Sequence, residues 1–159
     1  MTSALYPGTF DPITYGHLDI IQRASRIFDT VVIAVGINPQ KKPLFSAGER
    51  VEMIREATPD YPGLEIAQST GLTVQFAQKR GVHTIVRSLR STTEFELELA
   101  TALANRQLDP RIETVYFTPS VEYTYLSSTV VREIAQFGGD LTPFVPPPIA
   151  ERLRAKFAR

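Results

Sequence analysis

The chain has 159 residues, of which 43% are hydrophobic and 21% are charged, as in one soluble globular domain that is large enough to bury a core. Lysines and arginines number 17, as do aspartates and glutamates, so the formal net charge is zero and gives no sign of a nucleic-acid or anionic-membrane partner. The sequence has no cysteine, which excludes disulfides, thiolate catalysis and cysteine-bound zinc.

The first apolar segment, residues 4–5, predicts a strand, and a helix is predicted soon after it. The apolar face of that helix carries Leu18, Ile21, Ala24 and Phe28. The connection over residues 6–17 reads Tyr-Pro-Gly-Thr-Phe-Asp-Pro-Ile-Thr-Tyr-Gly-His, and its prolines and glycines favour an irregular turn. A strand, such a turn and a helix N-terminus together present backbone N–H groups and a positive dipole end to an anion.

Three residues in this connection suit phosphate binding. Gly8 is expected to let a ligand approach the backbone, Thr9 offers a hydroxyl, and His17 lies in the first helical turn. The simpler alternative is a proline-rich surface loop in which His17 only satisfies the helix end. The junction by itself leaves both interpretations open.

The rest of the chain alternates strand and helix patterns. A β-branched run over residues 30–35 is typical of a strand buried on both faces of a parallel sheet, and further strands are predicted over residues 64–67, 84–86 and 114–117. Helices are predicted after Ser46 and after Ser91, each with a capping-box glutamate (Glu49, Glu94), after Gly71, after Ser127 and over residues 147–158. The helix after Ser127 has an apolar face of Val130, Val131, Ile134 and Phe137.

This order of elements predicts an α/β fold, with a doubly wound five-stranded parallel sheet in a single domain over residues 1–159. The last helix is apolar on one face. It is therefore expected either to pack on its own domain or to lie at a contact between subunits.

Ligands of such sheets bind beyond the carboxyl ends of the strands, so the loops after strands one, two, four and five should share one rim. These loops carry Thr9, His17, Lys41, Arg87, Arg90 and the run from Ser127 to Thr129. Singly, the lysine could be solvated, the arginines could be surface ion-pair partners and the serines could cap a helix. Together they would place cations, hydroxyls and helix N-termini around one crevice, as a triphosphate and a second phosphate require.

The residues Thr14-x-Gly16-His17 match the [T/H]-x-G-H signature of the nucleotidyltransferase superfamily. The whole string over residues 6–17 resembles the opening of the bacterial phosphopantetheine adenylyltransferase family, which makes coenzyme A precursors. The similarity continues through Lys-Lys-Pro-x-Phe at 41–45, Arg-x-Leu-Arg at 87–90 and Ser-Ser-Thr-x-Val-Arg-Glu at 127–133.

The resemblance implies a Rossmann-like nucleotidyltransferase fold and the reaction of ATP with 4′-phosphopantetheine to give dephospho-coenzyme A and pyrophosphate. It also implies a catalytic set, an ATP-binding set and a set that binds 4′-phosphopantetheine. The catalytic residues would be His17, Thr9, Lys41 and Arg90. The ATP site would comprise Thr9, Phe10, His17, Ser88, Leu89, Arg90, Glu98, Tyr123, Thr124, Tyr125, Leu126, Ser127, Ser128 and Thr129. The acceptor would contact Thr9, Lys41, Thr73 and Arg87.

The nucleophile of this reaction is a phosphate monoester that is already ionised near neutral pH, so no protein general base is needed. Catalysis would rest on alignment of the reacting atoms and on stabilisation of phosphoryl charge, with His17 stabilising the transition state. Mg²⁺ is expected on the phosphates and water, with no metal ligand from the protein. A homohexamer in the cytoplasm is expected, with no nucleic-acid or membrane partner.

The chain departs from the family pattern at three positions. Ser88 replaces the glycine of Arg-Gly-Leu-Arg, so this turn either tolerates a Cβ or approaches phosphate less closely. Gly71 and Leu97 stand where related sequences often carry a carboxylate and an aromatic residue. These departures concern the contacts to the pantetheine arm and, near Glu98, those to ATP.

Two other functions fit parts of the pattern. One is another transferase of the superfamily, acting on nicotinamide mononucleotide or glycerol phosphate; Lys41, Arg87 and Arg90 favour phosphopantetheine instead. The other is a nucleotide-sensing domain without catalysis, which the intact Thr9 and His17 disfavour. An aminoacyl-tRNA synthetase shares a related signature, but this chain is too short and too neutral to hold tRNA.

Overall fold

The computed structural model describes residues 1–158, and its core is a five-stranded, all-parallel sheet with the strand order β3-β2-β1-β4-β5. The strands are β1 (Ser3–Gly8), β2 (Thr30–Ile37), β3 (Leu64–Thr70), β4 (Thr84–Ser88) and β5 (Glu113–Phe117). The helices are α1 (Tyr15–Ala24), α2 (Ala47–Ala57), α3 (Thr73–Arg80), α4 (Thr92–Leu108), α5 (Ser128–Gln136) and α6 (Pro147–Phe157). The predicted fold class and all five predicted strands are confirmed.

The two faces of the sheet bury alternate residues of the same strands, as a doubly wound fold requires. On one face, Ala4 and Ile33 belong to the larger core cluster, together with residues of α1, α2, α5 and α6. On the other face, Leu5 and Val32 belong to a smaller cluster with Val74 of α3. The β-branched run in β2 is therefore covered on both sides, which explains its continuous apolar pattern.

The chain reverses its direction of winding between β1 and β4. Strand β1 pairs with β2 from Ser3↔Thr30 to Gly8↔Val35, and on its other side it pairs with β4 at Leu5↔Ile85. Such a switch point opens a crevice beyond the carboxyl ends of the two central strands. The turn after β1 lies at this point.

The C-terminal helix packs on its own domain, in agreement with one of the two expectations for it. Ile149, Ala150 and Leu153 of α6 are buried in the larger core cluster. The helix with uncovered apolar residues is α4 instead, which has no buried residue. Its exposed apolar side chains are Phe95, Leu97, Leu99, Leu103 and Leu108.

Two apolar faces differ from their predicted extents. Helix α1 ends at Ala24 rather than continuing to Phe28, because hydrogen bonding tightens there: the N–H groups of Arg26 and Ile27 bond carbonyls three residues back. Phe28 still packs against the core from the following turn. Phe137 was wrongly placed on the buried face of α5; it follows the helix and is 80% exposed.

The capping boxes are confirmed for α2 but only half confirmed for α4. In α2, Ser46 and Glu49 bond each other's backbone N–H groups. In α4, Ser91 caps the N–H of Glu94, whereas the Glu94 carboxylate turns to Arg90. Within residues 1–158 no helix has the length and apolar character needed to cross a membrane.

Candidate active site

A cavity of about 420 Å³ opens at the carboxyl ends of β1 and β4, within the size range of small-molecule sites. The loops after strands one, two, four and five all contribute to its walls, so the predicted common rim is confirmed. The predicted site residues that line it are Thr9, Phe10, His17, Lys41, Arg87, Ser88, Arg90, Tyr123, Leu126, Ser127, Ser128 and Thr129.

The turn after β1 is shaped by contact between Gly8 and Phe10. Phe10 is the only non-glycine residue with a positive φ, +50°, among residues 1–158, and it is 2% exposed. A Cβ on Gly8 would lie 2.9 Å from the Phe10 ring. Gly8 is therefore needed for the close approach of this ring, and it also lines both the main cavity and the one beside it. The buried ring supports the left-handed backbone that turns Thr9 toward the cavity.

His17 completes a capping box at the start of α1. Its Nδ1 accepts a hydrogen bond from the backbone N–H of Thr14 at 3.1 Å, and the Thr14 hydroxyl caps the N–H of His17. Since Nδ1 accepts, the neutral ring carries its proton on Nε2, which is free to donate. Burial, and secondarily the charge of Arg90, lowers the pKa of His17 to about 4. The imidazole is therefore a neutral donor at physiological pH.

His17 makes a helix-capping contact and also lines the cavity. One ring nitrogen satisfies the helix end, as the simpler alternative supposed, and the ring still lines the cavity. Phe10 packs against it with ring centroids 4.9 Å apart, which fixes the plane of the imidazole.

The N-terminus of α5 forms a part of the cavity wall that adjoins this turn. Ser127 is the N-cap and accepts from the N–H of Val130, and the Ser128 hydroxyl donates to the carbonyl of Pro12 at 2.8 Å. The first backbone bond of the helix joins Val131 to Ser127, so the N–H groups of Ser128 and Thr129 precede the bonded turns. An anion in the cavity could accept from them.

Arg90 is oriented by a carboxylate and a carbonyl. Its guanidinium bonds Glu94 at 2.7 Å and donates from Nη1 to the carbonyl of Leu126 at 2.8 Å. The arginine thereby ties the loop after β4 to the loop before α5. Its charge lies close enough to His17 to lower the pKa of that ring.

Arg87 is held still more tightly. It donates to both carboxylate oxygens of Glu98, at 2.8 and 2.6 Å, and to the carbonyl of Pro7 at 3.0 Å. The hydrogen bonds from Glu98 raise the pKa of Arg87, so the side chain stays cationic. A fixed guanidinium at the end of β4 is a preorganised partner for a phosphate.

A second cavity, of about 250 Å³, adjoins the first across the end of β1. Thr9, Lys41 and Arg87 line both cavities, and Thr73 lines the second. A third space, of about 150 Å³, continues from Arg87 and Thr73 toward α4. Two ligands can therefore lie end to end, with Thr9, Lys41 and Arg87 at their junction.

The sequence matches proteins of known families over most or all of its length. The family model described as cytidylyltransferase-like matches residues 5–134. The chain is 48% identical over 159 residues to the phosphopantetheine adenylyltransferase of Caldanaerobacter subterraneus subsp. tengcongensis, which covers 100% of this chain and 99% of that protein. The chain is also 51% identical to the phosphopantetheine adenylyltransferase of Symbiobacterium thermophilum, in an alignment that covers 100% of this chain and 98% of that protein.

The chain belongs to the phosphopantetheine adenylyltransferase family. The fold is also found in a Vibrio parahaemolyticus protein described as a nicotinate-nucleotide adenylyltransferase, with a TM-score of 0.71. That structure is 19% identical and covers 100% of this chain and 98% of its own, and it shows the fold alone.

Five predicted site residues of this family member lie outside the main cavity. Glu98 faces Arg87 rather than the cavity, and Thr73 belongs to the second cavity. Leu89 continues the pairing of β4 and β5 through its N–H bond to Phe117. Thr124 and Tyr125 follow a short 3₁₀ turn, Val121–Tyr123, and both side chains are exposed.

Ser88, the residue that replaces the glycine of the family pattern, ends β4 and lines the main cavity. Since Phe10 alone among the described non-glycine residues has a positive φ, the Cβ of Ser88 causes no backbone strain. The turn tolerates a Cβ, the first of the two expected possibilities. Gly71, by contrast, has φ +76°, a conformation that favours glycine.

Three charged residues that sequence reasoning left without a role also support the site. Asp11 is 3% exposed and accepts from two backbone N–H groups of a distant loop; Arg50 is 2% exposed and donates to three carbonyls. Arg132 lines the main cavity and donates to the carbonyl of Asp11. Asp11 and Arg132 lie within the motifs over residues 6–17 and 127–133, and Arg50 follows the capping-box residue Glu49, but only the tertiary contacts distinguish these three from surface charges.

The carboxylates near the cavity do not form a metal cage. In the described part of the chain, no cluster of three or more potential metal-ligating side chains exists. Asp11, the carboxylate in the cavity wall, already has both oxygens bonded to backbone N–H groups. Among the described residues, the cavity wall therefore offers no group of carboxylates for direct coordination of Mg²⁺.

Proposed function

We propose that this protein transfers the adenylyl group of ATP to 4′-phosphopantetheine, giving dephospho-coenzyme A and pyrophosphate. The observation that carries the proposal is the junction of two cavities at Thr9, Lys41 and Arg87. Adenylyl transfer needs the phosphate of the acceptor and the α-phosphorus of ATP in line, and a shared cationic junction brings them together. Full-length relatives of this family carry the same activity in their names.

In the proposed mechanism, an oxygen of the acceptor phosphate attacks the α-phosphorus, and pyrophosphate leaves from the opposite side. Lys41 and Arg87 would hold the acceptor phosphate, and Thr9 would bond the oxygens between the two ligands. No protein group needs to take a proton, because the attacking phosphate is already ionised. The protein's task is to orient the two phosphates and to stabilise the charge that they share.

His17 suits this task because it is neutral. Its Nε2–H would donate to an α-phosphate oxygen, where charge grows as the new bond forms. A ring held neutral down to a pKa of about 4 keeps this donor in one protonation state across the physiological range. Arg90 and the N–H groups at the start of α5 would bind the leaving pyrophosphate.

Mg²⁺ is expected to enter with ATP, bound by phosphate oxygens and water. The bonded state of Asp11 supports this arrangement, since that carboxylate has no oxygen free of backbone partners. When bound, the ion would neutralise phosphate charge; the orienting contacts come from the residues described above.

The test is a pyrophosphate-release assay with ATP and Mg²⁺. The proposal expects turnover with 4′-phosphopantetheine, and at least about a hundredfold less with nicotinamide mononucleotide or glycerol phosphate, because both lack an arm that fills the space toward α4. Equal turnover with another acceptor would contradict the substrate assignment. No turnover with any acceptor, despite ATP binding, would favour a sensing domain.

We further propose that copies of the chain associate through α4, in the homohexamer that the resemblance implies. Phe95, Leu99 and Leu103 are spaced four residues apart and form an exposed apolar stripe. A neutral chain has no net charge to oppose association with itself. Such a stripe on a monomer would be costly in water, so a second copy is the expected partner. The cytoplasm remains the expected location.

A further inference from the structure

We propose that Asp11 is a positioning residue that holds the Lys41 loop, residues 38–45, against the turn after β1. This inference deepens the proposed function, because the loop carries one of the two cations expected to bind the acceptor phosphate. Asp11 itself would touch neither substrate. It would act by fixing Lys41 relative to Thr9.

The Asp11 carboxylate bonds the end of this loop through both oxygens. Oδ2 accepts from the N–H of Leu44 at 2.8 Å, and Oδ1 accepts from the N–H of Phe45 at 2.9 Å. The two partners are 33 and 34 residues away in the sequence, so the contact joins two separate loops. Phe45 is 2% exposed and packs in the larger core cluster, which anchors the bonded segment.

Arg50 secures the same loop from the other side. Its guanidinium donates to the carbonyl of Gly36, just before the loop, and to that of Phe45, within it. It also donates to the carbonyl of Thr9 at 2.7 Å. Both ends of the Lys41 loop are therefore tied to the turn that carries Thr9.

A carboxylate is required at position 11 because two N–H groups point at its two oxygens. An asparagine offers only one oxygen, so its NH₂ group would face the second N–H and one buried donor would lose its partner. Arg132 adds a cation 3.7 Å from Oδ2. Asp11→Asn should thus loosen the loop with little change in side-chain volume.

The experiment compares Asp11→Asn, Lys41→Ala and the double variant in the pyrophosphate-release assay. We expect Asp11→Asn to raise the KM for 4′-phosphopantetheine about tenfold or more, while the Kd for ATP changes less than about twofold. In the Lys41→Ala background, Asp11→Asn should raise the KM for 4′-phosphopantetheine by less than about a further twofold, because its effect passes through Lys41.

Asp109→Asn is the matched control. Asp109 is 4% exposed and also accepts a backbone N–H bond, from Arg111, but it precedes β5 at the opposite end of the sheet. The substitution Asp109→Asn should lower the free energy of unfolding without changing the KM for 4′-phosphopantetheine. Additive effects of Asp11→Asn and Lys41→Ala, an equal loss of ATP affinity, or the same KM change in Asp109→Asn would overturn the inference.

Amide hydrogen exchange tests the positioning role independently of turnover. Asp11→Asn should speed exchange at Leu44 and Phe45, whereas Asp109→Asn should not. Unchanged exchange would overturn the inference even if activity fell. Absence of turnover in the unmodified protein would instead count against the proposed function, and exchange alone would then decide the role of Asp11.

Discussion

The two nitrogens of His17 are expected to have separable effects on catalysis and stability. His17→Ala removes both the Nε2 donor to the cavity and the Nδ1 acceptor for the Thr14 N–H. His17→Asn places a carbonyl oxygen near the Nδ1 position, so it keeps the cap while removing the Nε2 donor. The two variants therefore divide the roles of one side chain.

Loss of a preorganised donor to phosphoryl charge should lower kcat by about 10²–10³, equivalent to about 3–4 kcal/mol, in both variants. The KM for ATP should change little, because the bond strengthens in the transition state. Only His17→Ala leaves the N–H of Thr14, a residue 1% exposed, without its acceptor. Its free energy of unfolding should fall by about 1 kcal/mol more than that of His17→Asn.

Steady-state pyrophosphate release measures the first effect, and urea unfolding at pH 7 measures the second. The reasoning would be refuted if His17→Asn kept full kcat while His17→Ala lost it, because His17 would then serve only the helix end. A rise in the KM for ATP with kcat unchanged would instead make His17 a binding residue.

Three further predictions concern separate parts of the molecule. Arg87→Ala should raise the KM for 4′-phosphopantetheine at least about tenfold, while the Kd for ATP, measured by calorimetry, stays nearly unchanged. Equal losses of affinity for both substrates would reject the assignment of Arg87 to the acceptor phosphate. If the proposed oligomer forms through α4, Leu103→Glu should dissociate it in sedimentation, whereas Phe137→Glu, at an exposed apolar site outside α4, should not; assembly of both variants would exclude this surface. In the folded protein His17 stays unprotonated down to about pH 4, whereas in the unfolded chain it binds a proton near pH 6.5. The free energy of unfolding should therefore fall by as much as about 3 kcal/mol between pH 6.5 and pH 4. His17→Asn should lose this dependence, and an unchanged pH profile would contradict the lowered pKa.

The sequence predicted the fold because its local patterns agree with the tertiary arrangement. The β-branched run of β2 is buried on both faces, as expected. Parallel strands with alternating helices put every strand's carboxyl end at one edge, so the common rim followed from the order of elements alone. Thr9, Lys41 and Arg87 could therefore be brought together before any coordinates were known.

The error at the start of α4 arose because a second partner competes for one side chain. The spacing of Glu94 from Ser91 fits a capping box, but the Glu94 carboxylate accepts hydrogen bonds from Arg90 instead. Gly8 lines both cavities, and the Phe10 ring packs against it as well, a contact that the sequence did not show. Local spacing does not reveal such competition, since it depends on where the chain turns.

The sequence by itself determined the fold class, the rim and most of the cations and hydroxyls that line the cavity. Only the tertiary structure decided that α6 is buried while α4 is exposed, because both helices carry apolar residues and only packing shows which face is covered. It also decided that Asp11 and Arg50 hold loops together. Their partners are backbone N–H and carbonyl groups, which every residue possesses and which leave no mark in the sequence.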